Sequence, residues 1–396
     1  MENFVTQKLQ TILKNYLICF FFSSYIFLWG ITFDFIQLRF FILFLIIPIL
    51  FNIDRVIALK FLKYFIISTV VVIHYLIQAD VIIFKYVFSI LIIFFIFIIF
   101  DLYKQLFFEN LNKVIFFFFI FFFISTFFQF FSYENNLKKI SNICLDCFLT
   151  LSFFYKENSH FALTAPSVFF YLLFISNFNK FINYFLMIIF LLICILNSSL
   201  TLYIGLILLT FLTLCLKIKF YRPQKIVLSF IFFFLIFKFI TDDRAVNKVK
   251  NFFYVDNKIN LSTEVYITSL LVSKNALLNK PFGYGFNNYS DAFDEFTINL
   301  NIQNKEVLLL NRNDASNNFS KILTEFGIFS IFFFYFLISF FLSNKIENKI
   351  KIFLILPILI QTFIRGAGYF NGGFLLFSFY AFFLWFKISF KNYFLK

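Results

Sequence analysis

Long apolar runs, each closed by a short polar or charged break, recur from one end of the chain to the other. A hydrocarbon core about 30 Å thick needs roughly 20 apolar residues per helix. Runs near that length fall at residues 16–33, 36–53, 61–78, 82–100, 114–132, 161–177, 181–197, 199–216, 226–240, 325–343, 352–365 and 373–390. The pattern predicts an all-α polytopic membrane protein of about twelve transmembrane helices, residues 1–396 forming a single integral membrane domain. Two breaks are long, at 132–160 and, between the ninth and tenth spans, at 241–318.

Lysine and arginine assign the two faces, because short loops rich in these residues stay in the cytoplasm. One alternating set of breaks carries Lys8 and Lys14, Arg55, Lys60 and Lys63, Lys104 and Lys113, Lys180, Lys217 to Lys225, Lys345 to Lys351, and Lys387 to Lys396. The other short breaks hold almost no lysine, and their basic residues are Arg39 and Arg365. Both termini are therefore expected in the cytoplasm, with the 132–160 and 241–318 loops on the outer face. The stretch Met1–Asn15 is polar and leads into an apolar run with no small-residue cleavage site, which reads as an uncleaved first span.

Within the larger loop, Val265, Leu270, Leu271, Leu277 and Leu278 have helical spacing. They predict a helix over 262–279 that lies along the membrane surface. Pro281, Phe282, Gly283, Tyr284 and Gly285 follow as a turn. No internal repeat and no separate soluble domain is visible.

At 62% hydrophobic residues the chain is too apolar for a water-soluble surface. The 77 phenylalanines accompany abundant Ile, Lys, Asn and Tyr, all encoded by A/T-rich codons, so a low-GC genome accounts for them. That bias makes glycine and arginine informative. Seven of the nine glycines lie between Gly283 and Gly373, marking backbone that bends tightly or approaches something closely. The net charge of +14 is spread over membrane-flanking loops, which argues against a nucleic-acid partner. Cys144 and Cys147 have redox-motif spacing but no βαβ context, and no zinc spacing occurs, so neither metal nor cofactor is expected. His74 and Lys238, within apolar runs, read as a hydrogen-bonded interior residue and a snorkelling one.

Six arginines stand against 28 lysines, and Arg244, Arg312 and Arg365 fall on the predicted outer face. Their planar fork of donors suits phosphate oxygens, so they are candidate substrate-binding residues, set against the plain reading of solvated loop charge. Candidate general bases are Asp314, Glu157 (beside His160) and Glu264.

The stretch from Asn279 to Ser330 resembles the signature region of the O-antigen ligase and O-antigen polymerase superfamily of bacterial membrane glycosyltransferases. A surface helix, the turn Asn279–Phe286, a polar stretch, and then Ser316, Asn317, Asn318 leading to Glu325 and Gly327 follow that pattern. Ser316 stands where ligases carry histidine, Leu200 follows Ser199 in place of an arginine, and no arginine precedes Pro281 in the surface helix. These departures favour the polymerase branch, as does the run from Ile364 to Gly373.

The resemblance implies a bacterial inner-membrane enzyme that polymerises polysaccharide repeat units on the periplasmic face. A glycan on undecaprenyl diphosphate would pass to a second lipid-linked repeat unit, with no cofactor. Gly283, Gly285 and Asn317 become candidate substrate-binding residues beside the three arginines. Expected partners are the lipid-linked oligosaccharide, membrane lipids, a chain-length regulator and a flippase. Two alternatives remain: a ligase that transfers finished glycan to lipid A core, and a non-enzymatic flippase or transporter for lipid-linked sugar.

Overall fold

The computed structural model describes residues 2–28, 32–33, 36–134, 158–196, 199–219, 221, 224, 226–229, 233, 237, 261–298, 300, 302 and 304–394. It is an α-helical membrane protein. Three helices are long and apolar enough to cross a bilayer: Arg55–Gln78, Phe84–Glu109 and the broken helix Asn318–Leu342. Shorter apolar helices accompany them at Ile12–Phe27, Leu38–Leu50, Leu111–Ile124, Ala165–Phe174, Lys180–Ile193, Leu200–Cys215 and Phe374–Lys387.

Helix α1 (Glu2–Phe27) leads to a two-residue antiparallel bridge, β1 (Thr32–Phe33) with β2 (Ile36–Gln37). The run predicted as a span over 36–53 then starts as a 3-10 helix, Leu38–Leu45, before α2 (Ile46–Leu50). Helix α3 (Arg55–Gln78) begins where the Asp54 carboxylate accepts the Ile57 N–H at 2.7 Å, satisfying one of the unpaired donors of the first turn. Helix α4 (Phe84–Glu109) carries Asp101, which is buried and paired with Lys104 at 2.7 Å and Lys60 at 3.7 Å. Helix α5 (Leu111–Glu134), the single turn α6 (Asn158–Phe161), α7 (Ala165–Phe174), α8 (Lys180–Leu196) and α9 (Leu200–Cys215) follow.

The predicted span at 161–177 contracts to the ten residues of α7, every one of them buried. A helix apolar on all sides packs equally well in lipid or in protein, and here it is enclosed by protein. Gly205 of α9 lets that enclosure close, since a Cβ there would lie 2.8 Å from the Pro166 ring and 3.0 Å from Ile360.

Within the larger loop lie α10 (Leu261–Asn279) and α11 (Tyr289–Thr297), and α12 (Asn318–Phe326), α13 (Ser330–Leu342) and α14 (Asn348–Leu359) follow. Pro357 sits inside α14, which passes into a π-helical turn, Ile360–Ile364. Helix α15 (Phe374–Phe394) completes the described chain. Leucine spacing predicts that α10 rests its apolar side on the membrane. Its protein-facing side is the one with Thr263, Glu264, Val265, Thr268, Ser269, Val272, Ser273 and Ala276, while Leu271 and Leu278 are exposed. Val272 and Ala276 join Tyr284, Tyr289, Phe293 and Ala315 in a small core separate from the main one. Short side chains let α10 lie close to its neighbours, and its hydroxyls supply hydrogen bonds that leucines could not.

Candidate functional site

The site begins with the end of a helix. Helix α12 stops at Gly327, whose φ of +53° is accessible to glycine without strain, and its last carbonyls lose their intrahelical partners. The Pro281–Gly285 turn supplies replacements. Tyr284 N–H donates to the Thr324 carbonyl at 3.0 Å, Gly285 N–H to Glu325 at 2.9 Å, and Ile328 N–H returns to the Pro281 carbonyl at 2.8 Å. The two backbones touch so closely that a Cβ on Gly283 would sit 2.5 Å from the Glu325 carbonyl carbon and 2.8 Å from the Gly327 nitrogen. The turn is itself anchored: His74 Nε2 lies 2.9 Å from the Phe282 carbonyl oxygen, and Lys280 pairs with Asp80 at 2.5 Å. At the other end of α12, Asn317 is the cap, its side-chain oxygen accepting the Ser320 N–H at 2.8 Å.

Held at both ends, α12 presents Lys321 and Glu325, one turn apart, to a place water does not reach; their side chains are 2% and 0% exposed. Lys321 Nζ donates to the Asn313 carbonyl at 2.7 Å and to Asp314 Oδ1 at 3.1 Å, and stands 3.7 Å from Glu325 Oε1. Tyr369 donates its hydroxyl to Glu325 Oε2 at 2.7 Å. Asp314 differs from these partners in being half exposed, at 52%. It is thus a carboxylate fixed from behind by a buried cation and open in front.

The loop 365–373 covers this cluster, and its glycines are where the approach is closest. A Cβ on Gly366 would meet Asn318 at 2.7 Å, on Gly368 the Asp314 carboxylate at 2.5 Å, and on Gly372 the Gln361 amide at 3.1 Å. Gly366 N–H donates to the Ser316 carbonyl at 2.9 Å, Ser316 N–H in turn to Ser269 Oγ at 3.1 Å, and Phe286 stacks on Tyr369 with centroids 5.6 Å apart. Helix α10, the glycine-containing turn, α12 and the covering loop are therefore one hydrogen-bonded unit.

Arg39 enters the same place from the start of the Leu38–Leu45 helix. Its guanidinium lies over the rings of Phe40 and Phe370, at 4.8 and 5.9 Å, with the Asp314 carboxylate and Tyr25 within electrostatic reach. Its Nε and Nη1 are shielded from solvent and have no hydrogen-bond acceptor among the described residues. The Asn318 amide is fully buried and likewise has no partner for either of its polar atoms. Unbonded donors of this kind, beside an open carboxylate, suit a ligand that brings its own acceptors.

Among the residues selected from sequence, Asp314 is in the cluster and Arg365 begins the covering loop. Gly283, Gly285 and Asn317, expected to bind substrate, shape and cap α12. Glu264 is buried under the 304–308 turn, accepting the Asn304 N–H at 3.3 Å, and is not positioned as an open base. Arg312 forks onto Asp294 at the surface, and that carboxylate raises its pKa. Glu157 and Arg244, with Cys144, Cys147 and Lys238, lie outside the described residues. Nearby, burial raises the pKa of Asp291, and burial together with the Glu295 carboxylate raises that of the Tyr284 hydroxyl above the usual phenol value.

Sequence reasoning passed over Arg39, Lys321, Glu325 and Tyr369 as functional groups. The signal for Arg39 was available, since arginine is as scarce inside the apolar runs as in the loops. For Lys321 and Glu325 it was their i, i+4 spacing on a helix that enters the membrane. Among the described residues no group of three or more His, Cys, Asp or Glu could hold a metal ion. Comparison with protein-family models, with curated proteins and with solved structures finds no match to this chain.

Proposed function

We propose that the chain is a polysaccharide repeat-unit polymerase of a bacterial inner membrane. In this reading it has about twelve spans, both ends lie in the cytoplasm, and the 241–318 segment lies outside. The observation that carries the reading is the pairing of an open, positioned carboxylate, Asp314, with an interior guanidinium, Arg39, that has unbonded donors.

The reaction these groups suit is transfer of a glycosyl unit from a lipid diphosphate to a sugar hydroxyl. The acceptor oxygen forms a bond to the anomeric carbon, the bond from that carbon to the diphosphate oxygen breaks, and the diphosphate departs with the electron pair. Asp314 takes the proton of the attacking hydroxyl. Arg39 and Arg365 stabilise the negative charge that grows on the leaving diphosphate, the role in which fixed, desolvated cations contribute most. Lys321 and Glu325 touch neither reactant; they hold Asp314 and Tyr369 in place. The signature-like order of turn, Ser316, Asn317, Glu325 and Gly327 supports the reading through its resemblance to the polymerase branch, and Ser316, fully enclosed beneath Gly366, has no part in the chemistry.

The test is reconstitution of purified protein in liposomes with an undecaprenyl-diphosphate-linked repeat unit. Lipid-linked products of two or more repeats are expected, and they should disappear in Asp314→Asn, whose exposed side chain can change without unfolding the protein. Transport of the lipid-linked sugar with no longer product would overturn the proposal. So would wild-type chain lengths in both Arg39→Lys and Arg365→Lys, because lysine cannot reproduce the guanidinium fork.

A further inference from the structure

A cavity of about 910 Å³ opens between α3, α4, α13 and α15. Its walls are largely phenylalanine, among them Phe336, Phe379 and Phe383, whereas three lysines, Lys63, Lys104 and Lys387, stand on its lining. Along α15 it extends from Leu375 to Lys387, about 18 Å at the helical rise of 1.5 Å per residue. That is slightly more than one leaflet of a hydrocarbon core about 30 Å thick. The lysines cluster toward one end: Lys63 lies in the first turns of α3, Lys104 in the last turns of α4, and Lys387 late in α15.

Among the described residues, the lysines at that end outnumber the carboxylates paired with them. Lys60 and Lys104 share a single buried carboxylate, Asp101, and among the described residues neither Lys63 nor Lys387 forms an ion pair. Lys104 Nζ also lies 3.9 Å from the Phe383 centroid, so its charge sits at the mouth of the apolar groove. An apolar channel one leaflet long, ending in a cationic rim, has the shape and polarity of a lipid with an anionic headgroup.

We infer that this groove binds one anionic glycerophospholipid, its phosphate on Lys63, Lys104 and Lys387 and its acyl chains along Phe336, Phe379 and Phe383. The inference depends on the membrane placement of the bundle and is independent of the proposed reaction, since none of its residues belongs to the Asp314 cluster. By the positive-inside assignment the lysine rim faces the cytoplasm, so the bound lipid belongs to the inner leaflet.

Native mass spectrometry of the full-length protein, delipidated and then offered phosphatidylglycerol or phosphatidylcholine with matched acyl chains, tests this. Each lysine near an anionic headgroup adds roughly fivefold to binding, so Lys63→Gln/Lys387→Gln should lower the phosphatidylglycerol preference by about 25-fold. Asp101 keeps Lys104 in that variant, and the two substituted side chains lie at the rim, so the fold is retained. A phosphatidylglycerol carrying a diazirine in its acyl chain should crosslink to peptides within 375–387. Equal binding of the two lipids, an undiminished preference in the double variant, crosslinks spread over all lipid-facing helices, or stronger retention of undecaprenyl phosphate would each overturn the inference.

Discussion

Replacing Lys321 by methionine removes the cation on which the Asp314 cluster is built. The side chain is 2% exposed and donates to the Asn313 carbonyl at 2.7 Å and to Asp314 at 3.1 Å, with Glu325 Oε1 at 3.7 Å. Asn313 and Asp314 are exposed and can turn to water when the donor is lost. Glu325 cannot, because it is fully enclosed and is left with neutral donors alone, the Tyr369 hydroxyl at 2.7 Å and the Asn287 backbone N–H. Removing one partner of a buried pair strands the other and costs about 3–5 kcal/mol, and that is the loss expected for Lys321→Met. Removing both charges relieves the stranded carboxylate. Lys321→Met/Glu325→Gln keeps an acceptor for Tyr369 and should be more stable than Lys321→Met alone by about 1 kcal/mol or more, the sign expected when buried pairs give way to neutral groups. Reversible unfolding in mixed micelles with increasing SDS measures both. A single-variant cost below about 1 kcal/mol, or a double-variant cost equal to the sum of the two singles, would show that the pair acts like an exposed one and does not organise the cluster.

Three further outcomes are expected. Gly327→Ala places a Cβ against the Pro281 carbonyl at a φ of +53°, so both the left-handed strain of about 1–2 kcal/mol and a backbone collision apply; size-exclusion chromatography should show little folded monomer. Arg312→Ala breaks only an exposed pair with Asp294 and should lower stability by no more than about 1 kcal/mol, with unchanged glycan chain length on gels. Asp291→Asn tests a pH effect. Burial raises the folded-state pKa of Asp291, so the folded protein holds that proton more tightly than the unfolded chain, and the stability this contributes is lost as pH climbs through the raised value. The asparagine variant should therefore exceed wild type in SDS midpoint at neutral pH, and the difference should vanish below about pH 4, the ordinary carboxyl range.

Hydropathy located apolar helices, three of them among the described residues long enough to cross a bilayer, because lipid imposes a length and a polarity on a span whatever its neighbours are. It could not say which side of a helix meets lipid and which meets protein. Residues 161–177 illustrate this: phenylalanine and leucine satisfy either environment, and only the surrounding helices make α7 a ten-residue interior element. Helix α10 shows the same division. Leu271 and Leu278 carry the hydropathy signal, whereas the interface is made by Ser269, Ser273 and Ala276, which contribute little to any hydrophobic scale and much to close approach.

The candidate site was legible in proportion to how strongly a residue resists replacement by what an A/T-rich genome supplies. Glycines between 283 and 373 marked close backbone approach, and the neighbours are Glu325, Asn318, Asp314 and Gln361. Arginine scarcity pointed with equal force to Arg39, yet a charge inside an apolar run is easily taken for a span boundary. Lys321 and Tyr369 gave no such signal, because lysine and tyrosine are abundant here and only the folded chain shows which of the 28 lysines is enclosed. That asymmetry identifies the informative substitutions. Where the genome offers lysine everywhere, a guanidinium whose Nε and Nη1 meet no acceptor among the described residues is the substitution to make first, and Arg39→Lys, which keeps the charge and removes the fork, separates a need for the fork from a need for positive charge alone.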